Sequence, residues 1–164
     1  MTGLVHRRHM LQLLDLQRER QARTGEGFCL ALIDLDHFKH INDQMGHAVG
    51  DTVLAVVGET LAASLREGDL AVRMGGEEFC VLLRDRRAEQ ALSIAERLRS
   101  EFERSSTQRV ASPFTASFGV AEVTTDMPFE AAWQMADAAL YAAKAQGRNR
   151  CVLSGTATRP GAPA

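Results

Sequence analysis

The apolar positions of this chain change their period several times, and each change marks an element. Residues 7–23 (RRHMLQLLDLQRERQAR) carry Met10, Leu11, Leu13 and Leu14 before a charged end, which predicts an amphipathic helix. TGEG breaks it. Residues 28–36 (FCLALIDLD) are continuously apolar up to Asp34, as a strand buried on both faces should be. A short helix and a glycine turn follow in HFKHINDQMGH, and residues 50–66 have helical periodicity. Two apolar runs, Leu70–Ala71–Val72 and Phe79–Cys80–Val81–Leu82–Leu83, flank RMGGEEF and read as a hairpin. Residues 87–104 form a second amphipathic helix with Ala91, Ile94, Ala95 and Leu98 inward. A strand at 114–123 leads to a third long helix at 128–148, with Pro128 near its start and Gly147 at its end. NRCVLS closes as a last strand. Residues 154–164 lack periodicity and are rich in Gly, Pro and Ala, so they are expected to be a disordered tail or linker.

The predicted order is α-β-α-β-β-α-β-α-β. Residues 28–123 contain β-α-β-β-α-β, the ferredoxin-like motif. The expected class is therefore α+β: a mostly antiparallel sheet flanked by helices, with extra helices and a C-terminal strand added to that core. In such a motif the first strand and the central hairpin are neighbours. The end of the first strand, Asp34–Leu35–Asp36, is thus expected near the hairpin tip, Gly75–Gly76–Glu77–Glu78.

Gathering carboxylates from two segments costs stability unless a cation or protons compensate. Oxygen ligands suit Mg²⁺, which shares its shell with substrate phosphates and serves phosphoryl chemistry. Glycines at the tip let the turn take positive φ and let a ligand approach the backbone. The bland alternative is a surface hairpin with solvated acids.

Composition narrows the classes. The chain has 164 residues, enough for one domain with a real core. Its formal charge of −2 does not indicate a broad surface for a nucleic-acid polymer or an anionic membrane. No stretch approaches the ~18 to 20 uninterrupted apolar residues of a membrane span, and the start lacks a signal-peptide pattern. Cys29, Cys80 and Cys151 are odd in number and each lies in an apolar run, which suits reduced core thiols in a cytoplasmic protein.

Four stretches together resemble the GGDEF family, the diguanylate cyclases. GGEEF (75–79) matches its signature loop, DLDHFKHINDQMGHAVGD (34–51) its long first motif, and ADAALYAAKAQGRNR (136–150) its C-terminal motif. MTGLVHRR (1–8) is similar to its opening, with His6 where Asn is usual. The likeness runs from residue 1 to about 153, which is taken as the catalytic domain, and it implies a nucleotidyl-cyclase-like fold.

The resemblance implies that Asp34, Glu77 and the backbone carbonyl of Leu35 hold Mg²⁺ (or Mn²⁺). Glu78 would help activate the attacking 3′-hydroxyl; hydrogen bonding within the turn is its alternative. Asp36 would complete a second metal shell or cap a turn. Asn42 and Asp51 would read guanine, since a carboxylate can accept from N1–H and the exocyclic amine; a helix N-cap after Gly50 is the alternative for Asp51. Backbone amides at Phe38 and Lys39, with Lys144 and Arg148, would hold terminal phosphates, helix-dipole contact being the alternative for the two cations. Arg66 and Asp69, an RxxD five residues before Gly75, with Arg97, would form an inhibitory site for the product.

The activity implied is condensation of two GTP into c-di-GMP with two pyrophosphates, in an antiparallel homodimer. An N-terminal sensory or dimerising segment is expected outside this chain, and the parent protein can be membrane-anchored. The alternative is a catalytically silent module that binds c-di-GMP through Arg66 and Asp69.

Overall fold

The computed structural model describes residues 4–155. The opening residues 1–3 and the tail beyond Gly155 lie outside the described residues, as do the side chains of Val5, His6 and Arg7, so the readings of His6 and of the tail are not taken further. The elements run β1 (Val5–His6), α1 (Arg7–Thr24), β2 (Phe28–Leu35), α2 (Phe38–Met45), α3 (His47–Ser64), β3 (Leu70–Gly75), β4 (Glu78–Arg84), α4 (Ala88–Arg109), β5 (Ala116–Val123), α5 (Phe129–Ala145) and β6 (Cys151–Leu153).

One six-stranded sheet holds them together, in the order β1-β3-β4-β2-β5-β6. Its centre, β3-β4-β2-β5, is antiparallel throughout and is the expected ferredoxin-like arrangement. The short edge strands β1 and β6 pair in parallel. β1 was not predicted: two residues with one apolar side chain carry no period.

β2 is buried along its whole length because helices cover both faces of the sheet. On one face Cys29, Ala31, Ile33 and Leu35 pack against α2, α3 and α4. On the other, Phe28, Leu30 and Leu32 pack with Met10 and Leu14 of α1 and with Ala132, Ala136 and Leu140 of α5. The period of two along the strand assigns each side chain to a layer. Gly119 of β5 shows how tightly α5 sits: a Cβ there would lie 2.1 Å from the Ala136 carbonyl oxygen and 2.3 Å from the Leu140 nitrogen.

α3 starts at His47, three residues before the predicted Gly50. Gly46, with φ of 87°, is the single residue separating it from α2. Asp51 therefore lies inside the helix, and its reading as an N-cap is overturned. Gly50 stays helical and serves packing instead: a Cβ there would fall 1.9 Å from Asn42 Oδ1, so its absence lets the Asn42 amide rest on α3.

Candidate active site

The end of β2 and the starts of β4 and β5 meet at one end of the sheet. In register, Asp34 faces Glu78 on one side and Ser117 on the other. The Leu35 amide donates to the Glu77 carbonyl at 3.2 Å, which ties the hairpin tip to the end of β2. The tip is itself held: Gly75 and Gly76 have φ of 147° and 52°, and the Arg73 guanidinium donates twice to the Gly76 carbonyl, at 3.1 and 2.9 Å. A turn of this shape needs residues without a Cβ at its two positive-φ positions.

Asp34 is buried, and burial pushes its carboxyl above the usual carboxylate range. The Lys144 ammonium opposes that shift; it donates to Asp34 Oδ2 at 2.6 Å. Glu77 and Asp36 add to it by repulsion. Asp34 thus has one charged partner on a flexible side chain, and two acids nearby. Lys144 comes from the last turn of α5, so the close α5–β5 packing at Gly119 sets its reach.

Asp36, two residues on, is in the opposite condition. Its Oδ2 accepts from Thr115 Oγ1 at 2.6 Å and from the Asn149 amide at 3.0 Å; its Oδ1 accepts from Ser117 Oγ at 2.7 Å. These donors fix it to β5 and to the turn after α5. Of the two readings of Asp36, capping a turn is the one this geometry favours. Residue type and spacing did not reveal the network, because its donors lie about 80 and 113 residues away in sequence.

A cleft of about 210 Å³ is lined by Asp34, Leu35, Asp36, His37, Phe38, Lys39, Glu77, Lys144 and Arg148. It unites every residue predicted for metal and phosphate binding. His37, in the left-handed region with φ of 55°, turns the chain so that α2 begins at the cleft with Phe38 and Lys39. Glu78 is not part of this lining. It opens instead onto a neighbouring cleft of about 160 Å³ with Met74, Trp133 and Asp137. Asn42 and Asp51 stand apart as well, at the α2–α3 junction, with Asp51 exposed.

The donor set fits a hard divalent cation. Asp34 and Glu77 offer carboxylate oxygens, and Asp34 already draws a cation to itself. Among the described residues no group of three or more His, Cys, Asp or Glu side chains is arranged as a complete metal cage. Two carboxylates with a backbone carbonyl suit Mg²⁺, which usually leaves much of its shell to water and substrate phosphates.

Arg66 and Asp69 lie at the other end of the sheet. The Asp69 side chain is 2% exposed. It accepts from the Arg66 amide at 3.3 Å and from the Arg84 amide at 3.1 Å. The Arg66 guanidinium, about half exposed, donates to the Arg84 carbonyl at 2.6 Å. Arg97 is exposed on α4 and donates to the Ser64 carbonyl at 3.0 Å, at the end of α3. A larger cleft, about 550 Å³, is also at this end, lined by residues such as Gln21, Asp85, Arg87 and Glu122, and holds none of the predicted residues.

Known proteins are similar to this chain in sequence and in fold. The chain matches the family model "Diguanylate cyclase, GGDEF domain" over residues 1–150. It is 40% identical over 154 residues to diguanylate cyclase DgcM of Escherichia coli, a match covering 94% of this chain and 37% of that protein. The coiled coil and GGDEF domain of DgcB from Caulobacter crescentus, solved in complex with c-di-GMP, is similar with a TM-score of 0.85 at 32% identity, covering 93% of this chain and 83% of that one. The active GGEEF domain of a diguanylate cyclase from Vibrio cholerae matches with a TM-score of 0.85 at 31% identity, covering 93% and 98%. This chain thus spans little more than a third of the length of its E. coli relative. With the family model matched over nearly the whole length, the chain belongs to the GGDEF family of diguanylate cyclase domains.

Proposed function

We propose that this domain condenses two molecules of GTP into c-di-GMP and releases two pyrophosphates. The observation that carries the reading is the cleft at the end of β2. There Asp34 and Glu77, from separate segments joined by the Leu35–Glu77 hydrogen bond, meet Lys144, Arg148 and the start of α2. Carboxylates for a cation and donors for phosphates are what a nucleoside triphosphate requires on one side.

In this reading Asn42 and Asp51 hold the guanine. An Asp accepts from its N1–H and amine and finds no such donors on adenine. The amides of Phe38 and Lys39, with Lys144 and Arg148, take the β- and γ-phosphates. Lys144 then exchanges its bond to Asp34 for one to phosphate. Asp34, Glu77 and the Leu35 carbonyl would hold Mg²⁺ (or Mn²⁺), which when bound supplies neutralisation of the phosphate charge. Glu78 accepts the proton of the 3′-hydroxyl. The 3′-oxygen then bonds to the α-phosphorus of the other GTP, and the bond to the pyrophosphate oxygen breaks. One domain holds one GTP, so two must face each other across a two-fold axis. Catalysis is then mostly positioning and charge neutralisation.

Arg66 and Arg97 offer guanidiniums for a product phosphate at a separate inhibitory site. Asp69 takes the guanine-facing role expected of it only if it keeps acceptor capacity beyond its two backbone donors; a carboxylate has about four such sites. The domain boundary at about residue 153 and a location in the cytoplasm complete the proposal. No helix of the described residues is long and apolar enough to cross a membrane.

The test is product formation from GTP and Mg²⁺ by the domain, alone and fused to a dimerising coiled coil, with Glu77→Gln as control. c-di-GMP from the fusion, absent from the variant, is the expected result. A dimerised protein that binds c-di-GMP and makes none would overturn the reading in favour of a silent receptor.

A further inference from the structure

The turn after α5 is held in an unusual conformation. Arg148 and Asn149 both have positive φ, 64° and 45°, although neither is glycine. Consecutive residues of this kind persist only where surroundings over-determine them. Here they do. The Asn149 amide is taken by Asp36 Oδ2, its side-chain carbonyl by Arg99 at 2.9 Å, and its side-chain amide reaches Glu103 at 3.3 Å. Asp36 is the only one of these partners that belongs to the strand end carrying Asp34. Thr115 and Ser117 anchor the same carboxylate to β5.

We propose that Asp36 is a positioning residue: by holding the Asn149 amide it sets the turn that presents Arg148 to the cleft, at a fixed offset from Asp34. The inference rests on the reading that Arg148 binds the terminal phosphates. The requirement is geometric. A guanidinium on an exposed turn contributes to phosphate binding in proportion to how little freedom it loses on contact. Clamping the backbone next to it removes that freedom in advance. A metal-ligand role for Asp36 would ask for its charge, whereas the clamp asks only for an acceptor oxygen. In Asp36→Asn the side-chain oxygen still reaches the Asn149 amide, and the new amide group donates to Ser117, whose hydroxyl can accept.

The experiment measures affinities for GTP and GMP by calorimetry in Mg²⁺, using the whole chain and its variants. Arg148→Ala is expected to weaken GTP about tenfold and leave GMP, which lacks the β- and γ-phosphates, unchanged. Asp36→Ala should reproduce that selective loss, and Asp36→Asn should restore most of it. In the double variant Asp36→Ala/Arg148→Ala the losses should not add, because both act through one guanidinium. If Asp36→Ala does not fold, Asp36→Ser takes its place, being too short to reach the Asn149 amide. An Arg148→Ala variant with an unchanged GTP-to-GMP ratio would instead remove the phosphate reading itself. Given a normal Arg148 result, three outcomes overturn the inference: an unchanged ratio in Asp36→Ala, equal weakening of both nucleotides, or an Asp36→Asn variant as weak as the alanine.

Discussion

Asp34 and Asp69 stand at opposite ends of the central strands, both largely buried, and in opposite chemical conditions. Asp69 accepts from two backbone amides that are fixed by the turn at Arg66 and by β4, with the half-exposed Arg66 guanidinium only at 3.9 Å from its Oδ1. Such donors cannot leave without unfolding the segment. Asp34 faces one ammonium on a long side chain and two other acids, and burial raises its carboxyl. Its partner can be exchanged for another cation. The difference teaches how an acid is kept for structure or for chemistry within one sheet. Immobile backbone donors fix a carboxylate in place, whereas a mobile cation leaves it exchangeable at a cost in stability.

The comparison can be tested by substitutions with graded effects. Glu77→Gln, at the chemical end, should lower turnover of the dimerised domain by at least about a hundredfold while its melting temperature hardly moves. A parallel loss of stability would show the turn to be structural. Asp69→Ala, at the other end, should cost about 2 kcal/mol in urea unfolding, since it orphans two buried amides. A neutral result would erase the contrast.

Asp34→Asn should act in the opposite direction. A carboxyl raised in the folded state holds its proton more tightly there than when unfolded. The stability it contributes is therefore present below the ordinary carboxylate range and is lost as pH rises through the raised folded value. At neutral pH the neutral amide should accordingly raise the melting temperature by a few degrees, on the order of 1 kcal/mol, and flatten that decline. Melting curves across the acid range check both parts. The smallest effect on stability belongs to Arg66→Ala, about 0.5 kcal/mol for an exposed side-chain bond. Product inhibition should disappear with it. Unchanged c-di-GMP affinity in that variant would remove Arg66 from the inhibitory site.

Much of this was legible from pattern. The long elements declared themselves by period, and the β-α-β-β-α-β order by itself places the end of β2 beside the hairpin. Asp34, Glu77, Lys144 and Arg148 fall in one cleft as expected. What escaped had short or distributed signals. β1 is two residues long. The start of α3 was hidden because Gly50 looks like a breaker, and its actual service to Asn42 depends on another helix. The bonds of Asp36 to Thr115, Ser117 and Asn149 join residues that no window of sequence contains.

By itself, then, the sequence determined which long segments are helices and strands, which faces are apolar, and which residue types gather at the end of β2. Those properties are local, set by side-chain period, turn residues and motif spacing. The tertiary structure alone decided the condition of each acid. Asp34 and Asp36 are the same residue two positions apart at the end of one strand, yet one is left to an exchangeable cation and the other is held by two hydroxyls and an amide. Burial and the donors that chain packing brings from afar make that difference, and neither is encoded at the position itself.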